Sequence, residues 1–212
     1  MRIVAIADTH SQHDDIVIPD GDVLVHAGDS TYQGTINEIA SFNTWLGKLP
    51  HKHKVVIAGN HDWLFERNPT LAKEMMFNCT YLKDSGTVIN GIKFWGSPYS
   101  PRFFDWAFNQ DRGPDIKRFW DLIPNNTDVL VTHGPPEGFG DIVQARDTKA
   151  SLIHVGCYDL LQAIERVKPK LHIFGHIHEC KGEYEYGTTK LFNVSICDGK
   201  YKPINTPTII DL

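Results

Sequence analysis

The stretch RIVAIADTH, residues 2–10, joins a short apolar run to two side chains that can bind a metal ion. Residues 2–7 are too short and too rich in β-branched residues for a helix, so they predict a strand. Asp8 and His10 follow at its end, and a separation of two residues in extended backbone places both side chains on one face. One cation can contact both, although an Asp-x-His motif at a strand end is more often a simple turn.

The same arrangement recurs along the chain, because each further predicted strand is followed by polar residues. Residues 23–27, 54–58, 128–132 and 171–174 predict these strands. The metal-capable residues after them are Asp29, then Asn60 with His61, then His133, then His176 with His178. Since ligands of open α/β sheets bind at the carboxyl ends of strands, we expect all five loops to meet in one crevice.

Helical patterns alternate with the strands and predict an α/β architecture. Thr35-Ile36-Asn37-Glu38 has the form of a capping box at the start of a helix. A shorter helix is expected from Pro69 with Asn68 as its cap, and another over 158–167.

The sheets are expected to be mixed. Asn90-Gly91 lies between two β-branched runs and predicts a two-residue hairpin, which requires antiparallel strands. Residues 190–197 and 207–212 predict edge strands.

Composition limits the class of protein. The 212 residues include 41% hydrophobic and 22% charged residues, close to globular averages, and predict a single domain over 1–212. The formal charge of −5, without any block of five basic residues, argues against binding of long duplex nucleic acid. The apolar run 3–7 is too short for a signal peptide or membrane span, so we expect a cytoplasmic protein without a membrane partner.

Each motif alone also has an ordinary structural interpretation. Gly28-Asp29 is common turn chemistry, and a His-x-His pair such as His176 and His178 is often a solvated strand surface. Gly59-Asn60-His61-Asp62 is more specific, because it combines a glycine, a neutral oxygen ligand and a potential acid. Only the complete set favours a metal site.

In this order, Asp-x-His, Gly-Asp, Gly-Asn-His-Asp, His-Gly and Gly-His-x-His resemble the signature of the calcineurin-like metallophosphoesterases over residues 8–178. Thr132-His133-Gly134-Pro135-Pro136 and residues 155–157, 169–172 and 207–212 resemble the metallophosphoesterase-domain-containing (MPPED) branch. Some members of that branch lack the first His of Gly-His-x-His, whereas this chain keeps His176.

The resemblance implies a four-layer β-sandwich of two mixed sheets flanked by helices, with a centre of two metal ions. Asp29 would bridge them, with Asp8, His10 and His178 on the first ion and Asn60, His133 and His176 on the second. Oxygen and nitrogen ligands without thiolate suit Mn²⁺, which we favour, or Fe or Zn²⁺. The nucleophile would be a hydroxide bridging the metals, and His61, beside Asn60, the general acid.

The expected activity is that of a phosphoric ester hydrolase, with phosphodiesters of small nucleotides such as cyclic nucleotides as the favoured substrates. Arg102 and Trp106 in the long connection 97–112 are candidates for binding phosphate and base. Ser30-Thr31-Tyr32-Gln33 departs from the Asp- and Arg-containing extension of the protein phosphatases, which argues against that activity. The alternatives are a nuclease on short or single-stranded nucleic acid, a phosphomonoesterase and a metal-binding non-catalytic scaffold.

Overall fold

Two β-sheets form the centre of the computed structural model, which describes residues 1–145 and 151–212. The first sheet has five strands, in spatial order Thr208–Asp211 (β15), Arg2–Ile6 (β1), Val23–Ala27 (β2), His53–Ile57 (β3) and Thr80–Tyr81 (β4). The strands β1 to β4 run parallel and β15 is antiparallel to β1, so this sheet is mixed.

The second sheet has six strands. Their spatial order is Gly182–Tyr186 (β13), Thr189–Asn193 (β14), Leu171–Phe174 (β12), Val129–Thr132 (β9), Ile92–Ser97 (β6) and Ser85–Ile89 (β5). The two outer pairs are antiparallel and the inner strands are parallel, so this sheet is mixed as well.

Short strand pairs and helices complete the fold. The pairs are Ser100–Pro101 (β7) with Asn109–Gln110 (β8), and Ile142–Gln144 (β10) with Leu152–His154 (β11). The α-helices are Ile36–Lys48 (α1), Trp63–Arg67 (α2), Pro69–Met75 (α3), Pro114–Trp120 (α4) and Tyr158–Val167 (α5), and single 3₁₀ turns cover His13–Asp15 and His178–Cys180. In the described residues, no helix is long and apolar enough to cross a membrane.

Alternation along the strands divides the apolar side chains into two clusters. Val25 and Val131 belong to the cluster that fills the space between the sheets. Leu24 and Leu130, one residue away in each strand, belong to the other cluster, together with side chains of α1, α4 and α5. Each sheet therefore has one face on its partner sheet and one on helices, which confirms the predicted mixed α/β sandwich.

The local predictions agree closely with the structure. The Thr35 side chain accepts from the backbone N–H of Glu38, and Glu38 accepts from the backbone N–H of Thr35, as a capping box requires. Asn68 caps α3, with its Oδ1 accepting from the Leu71 N–H. Asn90 and Gly91 have φ angles of 51° and 81°, the left-handed values of the expected hairpin turn.

The interpretation of 190–197 as an edge strand is wrong. The strand ends at Asn193, and β14 lies between β13 and β12 inside the sheet. Its partner β13 is joined to it by a tight turn. The residues of β13 alternate between half-buried and exposed, and this strand was not predicted from the sequence. The outer strand at 207–212 is confirmed as β15.

Candidate metal centre

All seven candidate ligands lie in loops that leave the carboxyl ends of β1, β2, β3, β9 and β12. The two sheets present these ends at one edge of the sandwich, so loops that are far apart in sequence meet there. Within the described residues, six of the candidate ligands fall into two groups of side chains, and a third group, His10, Asp29 and His61, overlaps both.

The first group consists of Asp8, His10 and His178, whose ligand atoms lie within 4.8 Å of one another. The Nε2 atoms of His10 and His178 are 3.2 Å apart, and Nε2 of His178 is 3.7 Å from Oδ1 of Asp8. These are the residues that the resemblance assigns to the first metal ion.

The second group contains Asp29, His133 and His176, again within 4.8 Å of one another. Nε2 of His133 lies 3.3 Å from Oδ2 of Asp29 and 2.8 Å from Oδ1 of Asn60. Asp29 also faces the first group, because its Oδ2 is 3.9 Å from Nε2 of His10. Its carboxylate thus stands between the two groups, as a bridging ligand must.

The protonation of the imidazoles shows that the centre fits cations. Nδ1 of His133 lies 3.0 Å from the Ala27 carbonyl oxygen, and Nδ1 of His178 lies 2.9 Å from that of Asp198. A carbonyl only accepts, so both Nδ1 atoms carry protons and a neutral ring presents the Nε2 lone pair to the centre. Lone pairs of nitrogen and oxygen then face one another at about hydrogen-bond distance, an arrangement that positive charge between them stabilises.

The pKa values reflect the same need for positive charge. Burial alone would lower the pKa of His133, but the nearby Asp29 carboxylate raises it to about 9. Burial likewise acts against His178, but the nearby Asp8 carboxylate raises the pKa of His178 to about 9. In contrast, burial lowers the pKa of His10 to about 4 and that of His176 to about 3, which keeps these rings neutral. Metal binding would therefore displace protons from His133 and His178.

The backbone around the centre is strained. Asp8, His10, Asp29 and His176 have φ angles of 57°, 42°, 56° and 70°, in the left-handed region that non-glycine residues rarely adopt. Such conformations cost about 1–3 kcal/mol each and concentrate at functional sites. The expectation of extended backbone at Asp8-x-His10 is wrong, because turns bring the side chains together.

His61 adjoins both ligand groups. Its backbone N–H donates to Oδ1 of Asp29 at 2.8 Å, and its ring lies 4.7 Å from the ring of His10. Nδ1 of His61 is 2.8 Å from the carbonyl oxygen of Tyr32, an orienting partner that the sequence did not reveal. This contact leaves Nε2 as the ring nitrogen not engaged with the Tyr32 carbonyl.

An aromatic pocket of about 280 Å³ opens beside His61. Its lining residues are Tyr32, Gln33, His61, Trp63, Trp106 and Tyr201. The Trp106 ring stacks on the His61 ring at 4.3 Å. The other proposed substrate-binding residue, Arg102, is not part of this lining and forms an ion pair of 2.6 Å with Asp111.

Two buried residues that the sequence did not single out support the ligand loops. Asp62 accepts hydrogen bonds from the backbone N–H groups of Gly59 and Thr31 and from the Ser30 hydroxyl, which ties the loops after β2 and β3 together. The Ser195 hydroxyl donates to Oδ2 of Asp8 at 2.5 Å. The final Asp of Gly-Asn-His-Asp was visible as a motif residue, whereas Ser195 follows β14 and had no sequence signal.

Known proteins resemble this chain in sequence and in fold. The sequence model of the calcineurin-like phosphoesterases matches residues 1–180. Metallophosphoesterase domain-containing protein 1 of Homo sapiens is 42% identical, over 100% of this chain and 71% of its own length. UPF0046 protein C25E10.12 of Caenorhabditis elegans is 41% identical, over 100% of this chain and 81% of its own length. The solved structure of TT1561 of Thermus thermophilus has a similar fold, with a TM-score of 0.57 at 13% identity over 91% of this chain and 88% of its own.

Proposed function

Because the chain belongs to the calcineurin-like phosphoesterase family, we propose that it is a dinuclear phosphodiesterase that hydrolyses small nucleotides such as cyclic nucleotides. The observation that carries the proposal is the position of His61, which contacts both the ligand groups and an aromatic pocket. A phosphoester bound at the ligand groups would thus have its leaving group near an acid and a surface for a planar ring.

The ligand assignment follows the two groups. Asp8, His10 and His178 would hold one cation, and Asn60, His133 and His176 the other, with Asp29 shared. Mn²⁺ is the favoured ion, with Fe or Zn²⁺ as alternatives, because the donors are carboxylate, amide and imidazole. The chemistry that such cations supply when bound is activation of a water molecule for attack and neutralisation of phosphate charge.

His61 would act as the general acid. The Tyr32 carbonyl holds the Nδ1 proton, so the transferable proton is the one on Nε2. The hydrogen bond from the His61 backbone to Asp29 and the stacked Trp106 ring restrict the imidazole on two sides. Both contacts reduce the freedom of the ring and favour a productive position relative to the leaving oxygen.

The pocket favours diesters that carry a flat ring. Its lining includes four aromatic residues besides His61 and contains neither Lys nor Arg. A terminal phosphate dianion would therefore find no Lys or Arg there, whereas a base could stack on Trp106, Trp63 or a tyrosine. The pocket thus supports a nucleotide diester better than a phosphomonoester.

The test compares a phosphodiester with the matching monoester. We expect bis(4-nitrophenyl) phosphate and a 3′,5′-cyclic nucleotide to be hydrolysed with added Mn²⁺, and 4-nitrophenyl phosphate to be a poorer substrate by kcat/KM. Chelator should abolish all turnover. Monoester preference would redirect the search to phosphorylated metabolites, and Mn²⁺ binding without turnover of either ester would favour a non-catalytic scaffold.

A further inference from the structure

A buried histidine lies beneath the first ligand loop. His26, in β2, is fully buried, and its Nε2 is 3.0 Å from the hydroxyl oxygen of Thr9. That hydroxyl lies 3.4 Å from the carbonyl oxygen of Ser30 and can donate to it. Thr9 is the residue between Asp8 and His10, so the side chain of His26 reaches the loop that carries two candidate ligands.

The second sheet contains the same arrangement. His172, in β12, is fully buried, and its Nε2 is 2.8 Å from the hydroxyl oxygen of Thr132. This hydroxyl donates to the carbonyl oxygen of Gly134 at 2.8 Å. Thr132 directly precedes His133, a candidate ligand of the other group.

The two histidines share their position in the fold. Val25 and Ala27 flank His26, and Leu171 and Ile173 flank His172, and all four neighbours face the space between the sheets. Each histidine therefore points to the helix side, from a strand parallel to the strand that carries the ligand loop.

The direction of the hydrogen bonds follows from the acceptors. Each threonine has one hydroxyl proton, which the carbonyl oxygen of Ser30 or Gly134 accepts. The histidine then donates from Nε2, and its buried Nδ1 finds no hydrogen-bond partner within the described residues. Each histidine thus fixes a threonine hydroxyl. The Thr9 hydroxyl holds the Ser30 carbonyl of the neighbouring loop after β2, and the Thr132 hydroxyl holds the Gly134 carbonyl of its own loop.

We propose that His26 and His172 are matched positioning residues, each of which orders one half of the metal centre through its threonine. The inference rests on the two-cation centre proposed above. Asp8 and His10 hold left-handed φ angles next to Thr9, so loss of the Thr9 hydrogen bonds would allow that loop to relax. Relaxation would misplace the ligands of one cation while the other group kept its support.

The test measures Mn²⁺ affinity at each half of the centre separately. Asn60→Ala leaves the first ligand group complete, and His178→Ala leaves the second. In the Asn60→Ala background, we expect Thr9→Val and His26→Leu to weaken Mn²⁺ binding about 10- to 100-fold, as removal of outer ligand-orienting groups does. Thr132→Val and His172→Leu should have this effect only in the His178→Ala background. Calorimetric titration and the Mn²⁺ spin-resonance spectrum provide the readouts.

Conservative variants separate positioning from general folding. Thr9→Ser and Thr132→Ser keep the hydroxyl, and His26→Gln and His172→Gln keep an N–H donor, so all four should restore most of the affinity. His51→Leu is the control. His51 is buried and hydrogen-bonded to the Pro19 carbonyl, but it precedes β3 and so lies at the end of the strands opposite to the metal centre. It should leave both affinities unchanged.

Two results would overturn the inference. One is that every variant weakens Mn²⁺ binding equally in both backgrounds. The other is that the valine and leucine variants leave the Mn²⁺ affinity unchanged. If the unmodified protein binds fewer than two Mn²⁺ ions, the proposed function itself fails, and the inference fails with it.

Discussion

Nδ1 of His61 lies 2.8 Å from the backbone carbonyl oxygen of Tyr32. Tyr32 belongs to the segment Ser30-Thr31-Tyr32-Gln33, where the protein phosphatases of the superfamily have a carboxylate that serves the acid. Here a main-chain carbonyl occupies the position next to the proposed acid. A neutral carbonyl fixes the tautomer of the ring but contributes less than a carboxylate to stabilising an imidazolium.

His61→Asn should lower kcat about 100- to 10,000-fold for a diester with an alkyl leaving group, because such an oxygen needs a proton to depart. The loss should be much smaller for a 4-nitrophenyl leaving group. Steady-state kinetics on both substrates measure the difference, with Mn²⁺ content determined in parallel. Equal losses for the two leaving groups, at unchanged Mn²⁺ content, would contradict the acid role.

Asp29→Ala should reduce bound Mn²⁺ from two ions to less than one, because its carboxylate faces both ligand groups. His178→Ala should retain one ion, since its ring contacts only the first group. Elemental analysis after dialysis gives the stoichiometry. Asp111→Asn, which changes an exposed carboxylate away from the centre, is the control, and retention of two ions by Asp29→Ala would refute a shared ligand.

Trp106→Ala should raise KM for a cyclic nucleotide about tenfold, because stacking of one base is worth about 1–3 kcal/mol. KM for dimethyl phosphate, which has no ring to stack, should change little. The matched control is Phe77→Ala, since the Phe77 side chain is 78% exposed and does not line the pocket. If KM for both esters rises equally, Trp106 does not bind the base.

Chelation of the bound metals should lower the free energy of unfolding. A cation that binds only the folded state contributes about 2.7 kcal/mol when its free concentration is 100 times Kd. Urea unfolding with and without EDTA measures the loss, and Asp29→Ala should show almost none. An equal EDTA effect in that variant would place the stabilising metal elsewhere.

Burial lowers the pKa of His172 to about 3, against 6.5 for an ordinary histidine. Below pH 6.5 the unfolded chain therefore binds a proton that the folded protein does not bind. The contribution of the neutral ring to the free energy of unfolding is complete above pH 6.5 and declines as pH falls towards 3. Between pH 6 and 4, in EDTA, the wild type should lose about 1.4 kcal/mol more per pH unit than His172→Gln. If the free energy of unfolding, measured with urea, changes equally with pH in the two proteins, His172 is not buried as a neutral ring.

The local chemistry of the sequence determined much of this protein. The capping box of α1, the range of α5 and the Asn90-Gly91 hairpin depend on neighbouring residues, and the structure has all three. The ligand candidates were also visible, because each follows a strand whose apolar pattern is local. Their roles, like the single domain over 1–212, stay predictions.

Only the tertiary structure decided how these parts meet. β14 lies inside its sheet because β12 pairs with it, and the sequence of neither strand alone encodes this pairing. The left-handed turns at Asp8 and His10 replace the expected extended backbone, and backbone pairing with Gly28 and Asp29 holds them. One residue, Tyr32, reaches the centre through its main-chain carbonyl. Hydrogen bonds to residues distant in sequence connect the centre to Ser195, His26 and His172. A sequence pattern carries no signal for such contacts, because they form only when the two sheets bring their strand ends to one edge.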